Sequence, residues 1–315
     1  MSTPADQADQ SDQSDQSDMS DPSDQTAASS CPPPVPNRPP GPRVGHALLL
    51  SAIFYTVGIA IAVPMVVYYK IANQQIDAML VTLAGQVIGW PLTLWMGVLI
   101  ARTTGRASFP VKRFSPRLLP GLLLGGVGGA LVLNYVVSLI PMSPSVKTTF
   151  SNLGSGNPLV FFVAITVAAP IGEELFFRGW MLRGFLSNYS TRGAVLFMAV
   201  IFAAFHLNPW QAAAAFPLGV ALGWLVLRTG SLAPGMIGHF IYNFSTCYLT
   251  GPILLLLGQP LASIREMKSP PLEAPAIGIV LCALAFGLIR RATPSVLVVA
   301  PRPPAADDLP APGAE

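Results

Sequence analysis

Charged residues are scarce in this chain. They make up 10% of its 315 residues, where soluble domains carry about 25%. Hydrophobic residues make up 52% and gather into stretches of the length a spanning helix needs, about 20 residues. An ordinary soluble domain is thereby excluded. Cysteine is scarce too: Cys31, Cys247 and Cys282 are scattered and odd in number. No disulfide framework and no zinc-type cysteine pair is expected. No short apolar segment with a small-residue cleavage site precedes the first span, so no signal peptide is expected. The net charge of +3 averages an acidic tail against a basic membrane domain. A nucleic-acid partner is not expected.

What is present falls into three parts. In residues 1–45, aspartate recurs every third residue from Asp6 to Asp24, and a proline-rich stretch follows. Almost no apolar side chain is available there to offset the entropy of ordering, so this tail is expected to be disordered. Residues 46–291 predict an all-α membrane bundle of about eight transmembrane helices, at 47–69, 78–101, 118–140, 158–186, 193–207, 211–227, 232–250 and 275–289. Residues 292–315 are expected to form a second disordered tail. With the N-terminus inside, all of the 18 Lys and Arg residues except Lys70, Lys147, Arg265 and Lys268 fall on the inner side. That bias places both termini in the cytoplasm. Gly121, Gly125 and Gly129, and later Gly219 and Gly223, recur one turn apart, a spacing that lets helix backbones approach closely.

Acid is nearly absent from the apolar region. The 15 acidic residues fall in the tails and in outer loops, apart from Glu173 and Glu174. Histidine is equally sparse. Of three, His46 stands at the lip of the first span, and His206 and His239 lie within apolar segments. A charge at the bilayer centre costs at least about 2.5 kcal/mol, so such residues are rarely incidental.

Helical geometry separates the two glutamates. Successive residues turn by about 100°, so Glu173 and Glu174 face different ways. Glu174 and Arg178 are four apart and share a face, as an ion pair would. Glu173 is left without a local partner. Pro170 and Gly172 just upstream can bend the helix and open space beside it. The same four-residue spacing joins Phe202 to His206 and His239 to Asn243. If these faces converge, a carboxylate, two imidazoles and an amide share one pocket, an inventory suited to acid–base chemistry at a carbonyl. In that arrangement Glu173 takes a proton from water and His206 passes it to a leaving amine. His239 and Asn243 hydrogen-bond the oxyanion, and Glu174, Arg178 and Phe202 support the site.

Each set also has a plainer reading, as a buried ion-pair network, a helix-end histidine or interhelical hydrogen bonds. Three known kinds of intramembrane protease are excluded by inspection. No histidine begins a His-Glu-x-x-His motif, Leu153 stands where Gly-x-Ser-Gly would need its first glycine before Ser155, and no aspartate lies in a span. A proton-coupled transporter would use intramembrane Glu and His as relays and would be expected to show inverted repeats. None is evident, and the polar residues cluster in the second half. A non-catalytic membrane scaffold is the third alternative.

At these residues the chain resembles the CAAX-protease and bacteriocin-processing family of intramembrane endopeptidases. That family shows Glu-Glu-x-x-x-Arg, Phe-x-x-x-His and His-x-x-x-Asn or Asp on successive helices. Here they read EELFFR (173–178), FAAFH (202–206) and HFIYN (239–243), in that order. The resemblance covers about residues 155–250, the expected catalytic core. It implies an eight-helix protease whose catalytic glutamate is Glu173, with His206, His239 and Asn243 at the remaining polar positions. It further implies a membrane-associated peptide or protein substrate, lipidated in the eukaryotic relatives, and a bacterial cytoplasmic membrane as the location. No cofactor is required by this reading. If zinc takes part, Glu173, His206 and His239 could supply three ligands with an open position for water.

Overall fold

The computed structural model describes residues 42–101 and 109–293. Most of both tails, with Cys31, Arg38 and Arg302, and the loop arginines Arg102 and Arg106 lie outside these residues. Among the described residues every regular element is helical. The helices are α1 (Val44–Ile71), α2 (Ala78–Ala101), α3 (Pro116–Ser138), α4 (Pro144–Leu153), α5 (Pro158–Asn188), α6 (Thr191–Ala204), α7 (Pro209–Thr229), α8 (233–256), α9 (Leu261–Arg265) and α10 (Glu273–Ala292).

Local chemistry sets most of the boundaries. Asp77 precedes α2 and accepts from the backbone N–H groups of Met79 and Leu80 at 2.9 and 3.2 Å. Asn157 caps α5, Ser190 caps α6 and Asn208 caps α7. Each satisfies donors that a helix start leaves unpaired. Pro158 and Pro209 take the first helical position, where a missing N–H is harmless. Gly230, at φ +63°, closes α7 in the left-handed conformation.

Six of these helices are long and apolar enough to cross a membrane: α1, α2, α3, α5, α7 and α10. The expected count of eight is therefore not reached on that criterion. Helix α6 has only 14 residues, about 21 Å at 1.5 Å per residue, against a core of about 30 Å. It ends at Ala204, so the expected span 193–207 loses its last turn. Helix α8 carries His239, Asn243, Ser245, Thr246 and Thr250 along an otherwise apolar course. The sequence also gave no sign of the short helices α4 and α9, which lie in connections between longer ones.

Of the expected series on α3, Gly121 packs tightly on Ile289 of α10, where an added Cβ would lie 2.7 Å from its side chain, while Gly125 and Gly129 have ordinary contacts with Ala285 and Tyr242; the other close approaches come from glycines outside that series. Gly128 of α3 meets Gly278 of α10, where a Cβ added to either would lie 2.7 Å from the other's carbonyl. Gly126, on another face, packs against Ile241 of α8. Gly219 and Gly223 of α7 receive Ala199 and Met198 of α6. The main buried cluster joins α1, α2, α5, α6 and α7 through Leu50, Trp90, Phe176, Phe177, Trp180, Met198, Phe202 and Leu227.

Candidate active site

Helix α5 is not a uniform α-helix. It widens into π-helical turns at Val163–Ala168 and at Glu174–Met181, with a short α-helical segment, Ala169–Glu173, between them. Such turns are rare and concentrate at functional sites. Pro170 explains part of the first. The N–H of Ala169 bonds to the carbonyl of Ala164, five residues back. The next donor in that register, for the carbonyl of Ile165, would be residue 170, and proline has no N–H. Asn243 of α8 fills the place: its Nδ2 donates to the Ile165 carbonyl at 2.8 Å. A side chain from a neighbouring helix thus completes the backbone of the one that carries Glu173.

Gly172 serves a second contact. A Cβ there would lie 2.1 Å from the Trp90 ring, so only glycine lets α2 press its indole against the backbone beside Glu173. Trp90 also stacks on Phe205, with centroids 5.6 Å apart. The residue before Glu173 and the residue before His206 are therefore held by one aromatic side chain.

The two glutamates have different surroundings. Glu174 is fully buried, and its Oε1 accepts from Arg178 Nη1 at 2.8 Å and from His239 Nδ1 at 3.0 Å. Arg178 is fully buried as well. It donates from Nη2 to the Gly219 carbonyl at 3.4 Å, and its guanidinium carbon stands 4.5 Å from the centroid of the Phe202 ring. Glu173 is 12% exposed, and its Oε2 lies 3.7 Å from His239 Nε2. Glu173 has no partner on its own helix, and the contact it makes is long-range, to His239. His239 reaches both carboxylates, one with each ring nitrogen. With Nδ1 on the Glu174 side, Nε2 is the nitrogen turned to Glu173.

His206 also packs on Phe202. That ring packs edge-on against both imidazoles, with centroids 5.2 Å from His206 and 6.0 Å from His239. His206 lies just past the end of α6, in a turn rather than on the helix. Its Nδ1 donates to the Phe202 carbonyl at 2.9 Å, which leaves Nε2 as the free nitrogen. Leu207 follows at φ +55°, a conformation that a leucine adopts only when its surroundings impose it. Asn208 fixes the turn: its Nδ2 donates to the His206 carbonyl at 2.8 Å while its Oδ1 caps α7. The structure thus gathers Glu173, Glu174, Arg178, Phe202, His206 and His239 around one aromatic ring. Asn243, one turn beyond His239, is anchored to the backbone of α5.

Among the described residues no three His, Cys, Asp or Glu side chains form a group able to hold a metal ion, so Glu173, His206 and His239 are not gathered as a ligand set. Beside the site, an apolar cavity of about 270 Å³ lies between α5 and α8, lined by Thr166, Val167, Pro170, Ile171, Ala233, Met236, Ile237 and Phe240.

Sequence reading missed Tyr55 and Trp90. Tyr55 of α1 packs on Phe205 at 4.8 Å between centroids. The only available signal was a polar-tipped aromatic inside an apolar span, and nothing local ties it to residues over a hundred positions away.

No curated protein and no solved structure matches the chain. Residues 155–245, which hold every motif residue and under a third of the chain, match the family model described as "Type II CAAX prenyl endopeptidase Rce1-like", the group of intramembrane endopeptidases that the three motifs resemble.

Proposed function

We propose that this protein is an integral membrane endopeptidase of the CAAX type, in which Glu173 activates the hydrolytic water. The observation that carries this reading is the pairing of Glu173 Oε2 with His239 Nε2 at 3.7 Å while Glu174 and Arg178 hold the ring from behind. A carboxylate kept partly exposed beside a fully partnered one suits a base that must meet water.

In the proposed reaction Glu173 accepts a proton from water as the oxygen bonds to the peptide carbonyl carbon. The carbonyl π pair moves onto oxygen. His239 positions Glu173, and Asn243, with one amide hydrogen on the Ile165 carbonyl, donates its second to the developing oxyanion. The proton on Glu173 passes to His206 Nε2. When the carbonyl re-forms, the C–N bond breaks and His206 Nε2 delivers it to the leaving amine, with Glu173 ionised again. Water is consumed as a hydroxyl on the acyl product and a hydrogen on the amine. No step requires a metal, and zinc dependence is a separate question for experiment.

The substrate class is a membrane-associated peptide or protein. The apolar cavity beside Pro170 and Phe240 suits an apolar side chain or a lipid group entering from the bilayer. Both termini are placed in the cytoplasm, with the site open to that side or to the inner leaflet. The test is a comparison of membrane-proteome termini between cells carrying the wild type and Glu173→Ala. New termini that appear only with the wild type are expected, and identical terminal profiles would remove the reading. Verified metal removal by a strong chelator should leave activity intact. Loss reversed by added zinc would replace glutamate-only activation with a metal-assisted one.

A further inference from the structure

We infer that the face formed by Trp224 of α7 and Phe286 of α10 binds an anionic phospholipid, with Arg290 on its phosphate and an acyl chain along α10. The inference goes beyond the endopeptidase reading and needs only a chain that spans a bilayer.

The geometry is printed in four contacts. The C-terminal ends of α7 and α10 meet, because Arg228 Nε donates to the Thr293 hydroxyl at 3.1 Å and Nη2 to the Arg290 carbonyl at 3.5 Å. Just before those ends the Trp224 and Phe286 rings pack with centroids 5.3 Å apart. Each ring carries a guanidinium. The Arg228 carbon stands 5.9 Å from the Trp224 centroid and the Arg290 carbon 5.5 Å from that of Phe286, both within reach of a cation–π contact. Arg228 is buried and committed to the end of α10, while Arg290 is exposed. One cation is thus fixed, and the next is presented outward on an aromatic base.

The surface beside it is apolar. Phe286 is 49% exposed and Ile279, seven residues earlier and on the same face, is 60% exposed. An apolar stripe that ends in a guanidinium has the order of parts of one phospholipid, acyl chain and then phosphate. The planar fork of arginine suits phosphate oxygens in particular.

Charge selects the headgroup. Gly121 of α3 lies against Ile289, so Arg117, one turn before it, belongs to the same end as Arg290. Arg113, Arg117, Arg290 and Arg291 are all exposed, and among the described residues none of them pairs with a carboxylate. The acid of α10, Glu273, stands at its opposite end. Basic residues gather on one side of most membrane bundles. A ring pair that holds two of them beside an exposed apolar stripe is an addition to that pattern. A net negative headgroup is therefore favoured there over a zwitterionic one.

The test uses the full chain in liposomes of equal phosphatidylglycerol and phosphatidylcholine, released intact so that native mass spectrometry counts the lipids it retains. The wild type should retain phosphatidylglycerol in preference. Arg290→Gln should cut that preference at least about five-fold, the attraction of one basic side chain near an anionic surface. Phe286→Leu keeps the stripe apolar but removes the ring beneath Arg290, and should cut it less. Arg192→Gln removes an equal charge from an exposed position on α6 and should leave it unchanged. No preference in the wild type, or an undiminished one in Arg290→Gln, would overturn the inference. So would an equal loss in Arg192→Gln, which would assign the preference to overall charge. Melting in phosphatidylcholine alone checks each variant's fold. If Arg290→Gln melts early there, Phe286→Leu decides, and an unchanged preference in it overturns the inference.

Discussion

Helices α1 and α5 look alike as strings of letters and differ in almost everything else. They are the longest helices among the described residues, at 28 and 31, and each has an internal proline, Pro64 and Pro170. Helix α1 is the more apolar, yet only 6% of its most apolar window is buried, against 39% for α5. Helix α1 stays α-helical across Pro64, while α5 widens into π-helical turns on both sides of Pro170. Most of α1 presents aliphatic side chains such as Ile59 and Val63 to its surroundings. Helix α5 turns a buried carboxylate, a buried guanidinium and a vacant carbonyl towards its neighbours. Apolarity identifies a span, but irregularity completed by other helices marks the site. Phe54 and Tyr55 are the exception on α1, packing on Trp90 and Phe205.

The largest expected effect follows from breaking the buried pair in α5. Arg178→Ala leaves Glu174 buried without its cation, which costs about 3–5 kcal/mol. The variant should melt far below the wild type in detergent. Ile59→Ala on the exposed face of α1 should melt like the wild type. Equal melting of Arg178→Ala and wild type would show that the pair does not hold α5 to α7 and α8.

A smaller effect concerns the two prolines. Asn243→Ala removes the donor to the Ile165 carbonyl and should cost about 1–3 kcal/mol. In a Pro170→Ala background an N–H is restored at position 170, so the same substitution should cost less. A double-mutant cycle of melting curves reads the difference. Strict additivity would mean that Asn243 does not stand in for the missing proline N–H. Pro64→Ala should leave the cost of Asn243→Ala unchanged.

The smallest effect is where the start of α2 meets the start of α5. Asp77 accepts from the Asn157 N–H at 3.0 Å as well as capping its own helix. The Asn157 bond most of all, then those from Leu80 and Met79, outweigh desolvation and lower its pKa below the ordinary aspartate value. A folded pKa below the unfolded one means that the ionised form is stabilised. The contribution is therefore present above the unfolded pKa and lost as pH falls through the folded one. Asp77→Ala should cost about 0.5–2 kcal/mol at neutral pH, the range for a lost cap. Its melting temperature should converge with that of the wild type in acid. A constant gap across that range would show that the Asp77 charge plays no part.

The all-α class and the grouping of the polar residues were legible because helical spacing is local arithmetic. Glu174 with Arg178 and Phe202 with His206 are each four apart, and the contacts exist at 2.8 Å and at 5.2 Å between ring centroids. Other features depend on the tertiary fold. His206 leaves its helix because Asn208 and Pro209 begin the next one at once. The π-helical register of α5 cannot be read from its composition, and neither could the answering role of Asn243. His239 between two glutamates and Trp90 on Gly172 are long-range contacts, which periodicity does not report. By length and apolarity six helices qualify rather than eight, because α6 runs Thr191–Ala204, only 14 residues, and α8 is interrupted by His239, Asn243 and Thr250.

The central claim is that two adjacent glutamates divide the work, Glu174 holding the site and Glu173 acting in it. Glu173→Gln and Glu174→Gln, purified side by side, should be measured for peptide cleavage and for melting temperature on the same preparations. The account predicts that Glu173→Gln loses cleavage and melts like the wild type, while Glu174→Gln, with Arg178 left as a buried uncompensated cation, melts several degrees lower. Normal cleavage by Glu173→Gln, or equal melting of the two variants, would contradict it.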